Sequence, residues 1–280
     1  MIVPGSASQT LAAALSSELD RPLAPVEFER FPDGELLAAA PEVETDSAVI
    51  VASTVTSDAH LELLQLQDAL RESGVSEITT VLPYMGYARQ DRAFETGQPV
   101  SVRAVARAVS TATDRVLTVS PHEESVVEHF SVPAKALEGA TVLADPLPEL
   151  ADPVFLSPDA GAIDLAERVR DSYGGGEVDH FEKIRHSGDE VEITPSDVGV
   201  ERRDVVIVDD IIATGSTMSE AISALERPER VFVTCVHPML AGNARTKLAR
   251  AGVERVYGTD TIERAESAVS VAPVIADALR

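Results

Sequence analysis

The sequence predicts an α/β protein with two similar domains, each a mostly parallel sheet flanked by helices. Short apolar runs rich in β-branched residues alternate with segments of helical periodicity along most of the chain. This alternation is typical of parallel strands covered by helices. It restarts after the proline-rich residues 134–152, which predicts domains at residues 1–140 and 141–280. The last helix could pack back on the first domain.

The first half supplies the elements of one such sheet. Apolar strand patterns occur at residues 1–4, 48–52, 77–82 and 115–119, and helical spacing occurs at residues 6–19, 58–72 and 100–112. An alternating strand that starts at Val26 ends in Pro32-Asp33-Gly34, which is a turn signal.

The second half repeats the pattern. Strands are predicted at residues 153–156, 205–208, 230–236 and 255–258, and helices at residues 163–170, 218–225, 243–250 and from Pro273 onward. Residues 180–185 and 190–193 flank a polar turn at Gly188 and predict a hairpin.

The most informative stretch joins a strand to a helix. The apolar residues 205–208 run into Asp209 and Asp210, and a hydroxyl-rich loop at residues 213–217 follows. At the carboxyl edge of a parallel sheet, such a loop offers backbone N–H groups and hydroxyls to a phosphate. The two carboxylates could accept hydrogen bonds from sugar hydroxyls or help hold a metal ion. Residues 217–220 also fit a helix capping box, but capping alone does not explain the paired acids.

Composition limits the class of partner. Acidic residues number 47 and basic residues 23, so the formal net charge is −24. This charge argues against a nucleic-acid or anionic-membrane surface. Many acids, only three lysines and few aromatic residues resemble proteins from organisms with molar salt in the cytoplasm, so a halophilic source is our hypothesis.

Compartment and redox state follow from further absences in the sequence. The single cysteine, Cys235, cannot form an internal disulfide and lies in an apolar run, as a small buried side chain would. The amino terminus lacks a basic region before an apolar core, and no stretch of about 18 apolar residues exists. We therefore expect a soluble protein of the reducing cytoplasm.

A second group of polar residues follows the strand at residues 77–82. Two tyrosines and two arginines fall within residues 84–92, which suggests a site for a flat ring and an anion. Taken in order, the motifs of the chain resemble those of the ribose-phosphate diphosphokinases, or PRPP synthetases, in their shorter archaeal form. The motifs are residues 31–35, 84–92, His122, 157–161, 183–185, 209–217 and 259–262.

This resemblance spans essentially the whole chain and implies two phosphoribosyltransferase-like domains. It also implies a reaction in which the diphosphoryl group of ATP passes to the C1 hydroxyl of ribose 5-phosphate. The products are PRPP and AMP, and PRPP supplies nucleotide biosynthesis.

The resemblance implies a site for ribose 5-phosphate in the second domain. Asp209 and Asp210 would hold the ribose 2- and 3-hydroxyls, and the loop would hold the 5-phosphate through Ala213, Thr214, Gly215, Ser216 and Thr217. Ser216 stands where many relatives have a second glycine, so the geometry of the loop could differ there.

Lys183 and Arg185 match the catalytic Lys-x-Arg of the family, at the start of a flap. The diphosphoryl group spreads negative charge over its oxygens during transfer, so cations that meet it there are needed. The alternative interpretation is an exposed strand pair at period two.

Mg²⁺ is the expected cofactor, because phosphate oxygens need a hard cation to neutralise them. His122 resembles the metal-contacting histidine of the family, and Asp159 would be its carboxylate partner. Physical grounds alone would make His122 a histidine that caps a strand end. Ser120 and Pro121 replace the Asp-Leu that often precedes this histidine in the family, so the ligands around the metal could differ here.

For ATP, the resemblance implies a site shared between subunits. Phe31, Asp33 and Glu35 would contact the adenine bound to a neighbouring subunit, where Arg89 and Gln90 would also bind ATP. Such sharing requires a homo-oligomer, at least a dimer. The remaining histidines are expected to be structural or solvated: His60, His129, His180, His186 and His237.

Two competing functions can be weighed from the same residues. A phosphoribosyltransferase that consumes PRPP would not need the turn at residues 31–35, the segment at 84–92 or a second similar domain. A non-catalytic relative that joins synthetase oligomers would be favoured by loss of His122, Lys183 or Arg185, and all are present.

Overall fold

The computed structural model describes the backbone of residues 1–185, 191–194 and 198–280, and the side chains of residues 1–181 and 198–280. The chain forms two compact units. Unit 1 contains Met1–Glu138, Asp260–Glu263 and Ser270–Arg280, and unit 2 contains Gly139–Thr259 and Arg264–Val269. Functional domains at residues 1–140 and 141–280 stay a prediction.

Unit 1 is built on a five-stranded parallel sheet and a separate hairpin. Its strands are β1 (Ile2–Pro4), β2 (Glu27–Arg30), β3 (Leu36–Ala39), β4 (Ser47–Val51), β5 (Glu77–Leu82), β6 (Arg115–Val119) and β7 (Ala134–Leu137). The sheet has the order β1-β4-β5-β6-β7, and β2 pairs with β3 in an antiparallel hairpin.

The helices of unit 1 pack around this sheet. They are α1 (Gln9–Leu19), α2 (Ser57–Glu72), α3 (Ser101–Val109) and the last helix of the chain, α7 (Ala272–Leu279). The Thr56 side chain caps α2 by accepting a hydrogen bond from the Ala59 N–H, and Leu63, Leu66 and Leu70 bury one face of this helix. Helix α7 contacts α1, so the end of the chain completes the unit in which it began.

Unit 2 is built on a six-stranded parallel sheet and a separate two-stranded hairpin. Its strands are β8 (Val154–Ser157), β9 (Glu177–His180), β10 (Glu182–Arg185), β11 (Val191–Thr194), β12 (Asp204–Ile211), β13 (Arg230–His237), β14 (Arg255–Thr259) and β15 (Ser267–Val269). The sheet has the order β15-β14-β13-β12-β8-β9, and β10 with β11 forms an antiparallel hairpin. Its helices are α4 (Ile163–Tyr173), α5 (Ser216–Ser223) and α6 (Ala244–Arg250).

Strands β12 and β13 lie in the middle of this sheet and form its core. The side chains of residues 205–208 are fully buried, which explains why the sequence there is continuously apolar rather than alternating. Cys235 is also fully buried in β13, as predicted for a small apolar side chain. The predicted α/β class with parallel sheets and flanking helices is confirmed.

Several short strands of the structure were not predicted from the sequence. Residues 134–152 suggest a boundary region, yet their first four residues form β7 beside β6. Strands β9 and β15 were also not predicted, since each has 3 or 4 residues and lies at a sheet edge without a buried apolar run. In the part of the chain that the structure describes, no helix is long and apolar enough to cross a membrane.

Candidate functional site

Carboxylates follow two neighbouring strands of unit 2 at the edge where both strands end. Ile207 of β12 lies opposite Leu156 of β8, so Asp209 and Asp159 each come shortly after that paired position. The Asp159 carboxylate accepts a hydrogen bond of 3.0 Å from the Gly161 N–H, which fixes the turn after β8. Parallel strands therefore bring two acids that are 50 positions apart in sequence to one edge of the sheet.

The electrostatics of this edge favour a cation. Burial raises the pKa of Asp209 well above its ordinary value, and the negative charges of Asp210 and Asp159 raise it further. The Asp210 N–H donates to Asp209 Oδ1 at 2.9 Å and partly opposes this shift. Among the described side chains, no group of three or more Asp, Glu, His or Cys residues could hold a metal ion by itself.

The loop after β12 begins helix α5 in an uncapped form. Gly215 is the N-cap residue and has a φ of +71°. A Cβ atom at Gly215 would lie 3.3 Å from the Ala244 carbonyl oxygen and 3.4 Å from its Cβ atom, so the positive φ favours glycine and the space for a side chain is tight. The capping-box alternative is wrong, because Thr217 lies inside the helix instead of at its N-cap.

An uncapped helix start leaves hydrogen-bond donors for a ligand. The Ser219 N–H donates to the Gly215 carbonyl at 2.9 Å and makes the first helical bond. The N–H groups of residues 216–218 have no acceptor within the helix, and the helix dipole favours an anion at this end. The loop thus has the chemistry of a phosphate site.

Backbone hydrogen bonds fix the loop to the segment that follows β13. The Ile212 N–H donates to the His237 carbonyl at 3.2 Å, the Leu240 N–H to the Ile212 carbonyl at 2.8 Å, and the Ala241 N–H to the Ala213 carbonyl at 2.8 Å. The start of the loop therefore has its geometry before any ligand binds.

Hydroxyl groups line the rest of the loop. Thr214 is exposed, and its Oγ1 atom lies 3.4 Å from Ser216 Oγ. Ser216 Oγ also accepts a hydrogen bond of 2.6 Å from Lys247 Nζ, which comes from α6. Sequence reasoning gave Lys247 no role, although the scarcity of lysine in this chain was a usable signal.

In unit 1, the turn between β2 and β3 presents an aromatic ring and two carboxylates to solvent. Phe31, Asp33 and Glu35 are all exposed, and Phe31 keeps 38% of its surface accessible. The Phe31 N–H donates to the Glu35 carbonyl at 2.8 Å, and Asp33 Oδ1 accepts from the Glu35 N–H at 3.1 Å. Gly34 supplies the positive φ of +95° that closes the turn.

The segment after β5 is held by close packing at Gly86. A Cβ atom there would lie 2.2 Å from the Thr54 carbonyl oxygen and 2.9 Å from His60 Nε2. Tyr87 follows with a φ of +65°, and its exposed hydroxyl lies 3.0 Å from Ser57 Oγ. Burial lowers the pKa of His60 to about 4, so this histidine is neutral near pH 7 and is structural, as expected.

Arg89 and Gln90 extend from this segment in different ways. The Arg89 side chain is exposed and can reach an anion. Gln90 is anchored, because its Oε1 atom accepts from Ser101 Oγ at 2.5 Å and its carbonyl accepts from the Val102 N–H at 3.3 Å. These two bonds tie Gln90 to the start of α3.

His122 lies in unit 1, just after β6. Its side chain is exposed, and the chain bends before it at Ser120, which has a φ of +35°. The Ser120 N–H donates to the Leu137 carbonyl at 2.8 Å, which joins this bend to β7. Asp159 belongs to unit 2, and the pairing of His122 with Asp159 stays a prediction.

Comparison with known proteins assigns the family. Residues 1–112 match the N-terminal domain of ribose phosphate pyrophosphokinase, and residues 149–273 match the phosphoribosyl transferase domain. A ribose-phosphate pyrophosphokinase from Halobacterium salinarum is 65% identical over 281 residues and covers 100% of both chains. This chain belongs to the ribose-phosphate pyrophosphokinase family. The resemblance inferred from the sequence motifs is therefore confirmed.

Other members of the ribose-phosphate pyrophosphokinase family agree with this assignment. The protein from Methanosarcina mazei is 46% identical and covers 99% of this chain and 94% of its own. The crystal structure of phosphoribosylpyrophosphate synthetase from Mycobacterium smegmatis has a TM-score of 0.82 at 26% identity, and covers 100% of this chain and 97% of its own. The predicted pair of phosphoribosyltransferase-like domains is confirmed by these matches.

The Lys-x-Arg motif of the pyrophosphokinase family falls on β10. Backbone pairing puts Lys183 opposite Ile193 and Arg185 opposite Val191. The side chains of Lys183 and Arg185, and the predicted turn at Gly188, lie outside the described residues. Their catalytic role stays a prediction.

The motif at residues 259–262 has a structural role in this pyrophosphokinase fold. Asp260 Oδ1 accepts a hydrogen bond of 2.9 Å from the Val271 N–H, and the Thr261 carbonyl accepts one from Ser53 Oγ. The neighbouring Glu263 carboxylate accepts from the Thr10 N–H at 2.6 Å, at the start of α1. These contacts join the returning chain to unit 1.

Proposed function

We propose that this chain transfers the diphosphoryl group of ATP to the C1 hydroxyl of ribose 5-phosphate, giving PRPP and AMP for nucleotide biosynthesis in the cytoplasm. The observation that carries this proposal is the full-length similarity to ribose-phosphate pyrophosphokinases, which includes the family's N-terminal domain over residues 1–112. In this reaction the C1 hydroxyl oxygen bonds to the β-phosphorus, and the bond between that phosphorus and the oxygen of the α-phosphate breaks.

The sugar phosphate would bind at the end of β12. The loop at residues 213–217 offers uncapped N–H groups and hydroxyls to the 5-phosphate, supported by its helix start at Ser216. Asp209 and Asp210 would accept hydrogen bonds from the ribose 2- and 3-hydroxyls. Held at both ends, the sugar has its C1 hydroxyl oriented toward the β-phosphorus, which lowers the entropic part of the barrier.

Lys183 and Arg185 would stabilise the charge that spreads over the transferred group. A cation that meets this charge in the transition state contributes more to the rate than one that binds substrate and transition state equally. Arg89, exposed in unit 1, would bind the phosphates of ATP, and Gln90 would contact the same nucleotide.

Mg²⁺ fits the donor atoms that are present. Carboxylate oxygens suit a hard divalent cation. Burial and the negative charges of Asp210 and Asp159 raise the pKa of Asp209, and a bound cation would lower this pKa by stabilising the charged carboxylate. His122 and Asp159 would hold this ion, with phosphate oxygens as further ligands. The ion would neutralise phosphate charge when bound.

We further propose a homo-oligomer with ATP sites shared between subunits. The turn at Phe31, Asp33 and Glu35 is exposed and held by a hydrogen bond within it, which suits contact with the adenine bound to a neighbouring chain. Nucleic acid and membranes are not proposed as partners, because the net charge of −24 repels both phosphate-rich surfaces.

The products of the reaction test this proposal. The purified protein is incubated with ATP, ribose 5-phosphate and Mg²⁺ in molar potassium chloride, and AMP, ADP and PRPP are quantified. We expect AMP and PRPP in equal amounts, and no turnover after the metal is removed with a chelator until Mg²⁺ is restored. Release of ADP instead of AMP would contradict diphosphoryl transfer.

A matched pair of lysine variants tests the catalytic residue. Lys183→Ala should lower kcat about a hundredfold or more, as loss of a transition-state charge contact does. Lys135→Ala, which removes an exposed lysine from β7, should keep the parent kcat. Equal kcat values for the Lys183→Ala variant and the parent would remove Lys183 from the mechanism.

A further inference from the structure

The contact between α6 and the phosphate loop joins a lysine to a hydroxyl group. Lys247 Nζ donates to Ser216 Oγ at 2.6 Å, and both side chains are partly buried. Lys247 is one of three lysines in a chain that otherwise carries arginine. Ser216 is the first residue of α5 and belongs to the loop that is proposed to bind the 5-phosphate.

The chemistry of the two groups fixes the direction of the hydrogen bond. A protonated lysine has three N–H donors and no acceptor, so Ser216 Oγ must accept. The Ser216 hydroxyl hydrogen is then free to point toward another acceptor. Thr214 Oγ1 lies 3.4 Å from Ser216 Oγ within the same loop, so two hydroxyl groups lie close together beside the N-terminus of α5.

The position of Lys247 is set by the packing of α6 on the loop. Gly215 approaches Ala244, the first residue of α6, so closely that a Cβ atom would lie 3.3 Å from the Ala244 carbonyl oxygen. Ala241, just before this helix, donates its N–H to the Ala213 carbonyl at 2.8 Å. Lys247 lies three residues after Ala244, about one helical turn further, and reaches Ser216 from there.

The same contact lines an open groove of about 640 Å³ beside the loop. Ser216, Ser219, Ser223, Lys247 and Arg250 are among its lining residues. Lys247 and Ser216 therefore both face this groove.

We infer that Lys247 is a positioning residue for the 5-phosphate of ribose 5-phosphate, acting through Ser216. The ammonium group holds Ser216 as an acceptor, so that the serine hydroxyl donates to the phosphate, and it adds positive charge behind the loop. This inference rests on the proposed function of the loop.

Steady-state kinetics on the full chain test this role. Lys247→Met should raise the KM for ribose 5-phosphate about tenfold, the size expected for loss of one charged hydrogen bond, with the KM for ATP unchanged. Lys247→Arg keeps a charged donor and should recover most of this loss. Lys135→Met, in unit 1, is the matched control and should leave both KM values unchanged.

A double-variant cycle separates action through Ser216 from general support of α6. In a Ser216→Gly background, Lys247→Met should change the KM for ribose 5-phosphate less than about threefold, because the connecting hydroxyl is gone. A tenfold change in that background, or an equal rise in both KM values, would overturn the inference and indicate a structural role.

Binding of ribose 5-phosphate, measured by calorimetry without ATP, distinguishes failure of this inference from failure of the proposed function. A parent protein that binds ribose 5-phosphate but makes no PRPP would contradict the proposed function and leave the Lys247 comparison measurable. An unchanged affinity in the Lys247→Met variant would overturn the inference even if the parent makes PRPP. Thermal unfolding of each variant verifies that it is folded.

Discussion

Gly215 meets two constraints at once at the start of α5. Its φ of +71° is costly for residues with a Cβ atom, and such an atom would lie only 3.3 Å from the Ala244 carbonyl oxygen, which is a tight contact. A larger residue would therefore strain the turn and push α6 away from the loop. Both effects act on the N–H groups that are proposed to bind phosphate.

Gly215→Ala should raise the KM for ribose 5-phosphate at least about tenfold and destabilise the protein by about 1–2 kcal/mol. The matched control is Gly74→Ala in unit 1, where φ is +86° and the space for a Cβ atom is open. This control should show a similar loss of stability with an unchanged KM. Rates with varied ribose 5-phosphate and thermal unfolding provide the measurements, and equal KM values in both variants would refute the crowding argument.

The buried carboxylate of Asp204 forms an ion pair with Arg230 in unit 2. The Asp204 side chain is fully buried, accepts from the Ala151 N–H at 2.6 Å, and pairs with the Arg230 guanidinium through Nε at 2.9 Å. Burial alone would raise the pKa of Asp204, but these hydrogen bonds and the Arg230 charge outweigh it, and the pKa is lowered. The charged form is thus the one that stabilises the fold.

Asp204→Asn should destabilise the protein by about 3 kcal/mol at pH 7, because it leaves Arg230 without its counter-charge. The lowered pKa means that Asp204 contributes its full stability above its unfolded value of 3.8 and loses it as pH falls through the lower folded value. The variant should therefore lose less stability than the parent on acidification. Urea unfolding from neutral pH down to about pH 3 measures both effects.

The control for this pair is Asp152→Asn. Asp152 pairs with Arg203, but its side chain is 76% exposed, so its loss should cost less than about 1 kcal/mol. A similar loss of stability in both variants would contradict the role of burial.

Residues of the site differ in how far sequence could predict them. Asp209, Asp210 and Gly215 belong to one continuous motif, so local pattern was sufficient. The Lys247 contact with Ser216 joins positions 31 apart in sequence and depends on how α6 packs, which no local pattern contains. For the same reason, the sequence alone does not predict the ion pair between Asp204 and Arg230.

At the scale of elements, the β2–β3 hairpin is the most exposed part of the candidate ATP site. Its turn residues are solvent-accessible, and short-range hydrogen bonds within the turn hold their backbone. An element of this kind can contribute to a site on another chain without rearrangement.

Subunit complementation tests this role of the hairpin. A Phe31→Ala, Asp33→Ala variant and a Lys183→Ala variant should each be nearly inactive alone. Co-expressed, random dimers should regain about one quarter of parent activity, since half of them are mixed and each has one intact site. Activity of the mixture no higher than the average of the two separate variants would indicate that each chain binds ATP alone.

Prediction of elements succeeded where burial was two-sided. Strands β5, β6 and β12 are runs of β-branched or apolar residues in sheet interiors, and the sequence located each of them. The edge strands β7 and β15 are partly exposed, so their sequences lack that signature. Backbone pairing with a neighbour, which sequence does not show, decides their conformation.

At the scale of the whole molecule, self-repulsion among acids opposes folding. The net charge is −24, and charge repulsion reaches about 10 Å at 0.1 M salt but only about 3 Å at 1 M. We expect the thermal unfolding midpoint to rise steadily as potassium chloride increases from about 0.1 M to about 3 M. A midpoint that is flat or falls over this range would contradict a halophilic adaptation.

A charge-reduced variant is the control for the salt effect. Replacing the exposed Glu72, Glu128 and Glu167 by glutamine removes three negative charges from the surface. This variant should have a higher unfolding midpoint at low salt and a weaker dependence on potassium chloride. An unchanged dependence would attribute the salt effect to hydration rather than to charge repulsion.

The division of the chain into two similar parts could be predicted from the sequence, because the alternation of strands and helices restarts near the middle. The division of contacts was harder to predict, since Thr261 and Glu263 join unit 1 through bonds to Ser53 and Thr10, more than 200 positions earlier. Long-range contacts of this kind produce no periodic pattern in the amino-acid sequence.

The return of the chain to unit 1 has a consequence for biosynthesis. A ribosome delivers residues in order, so unit 2 is fully available for folding before helix α7 has emerged to cover α1. Unit 1 therefore cannot complete its fold until helix α7 has been synthesised. During that delay the face of α1 that packs on α7 is uncovered, as is usual for a folding intermediate that lacks one of its elements.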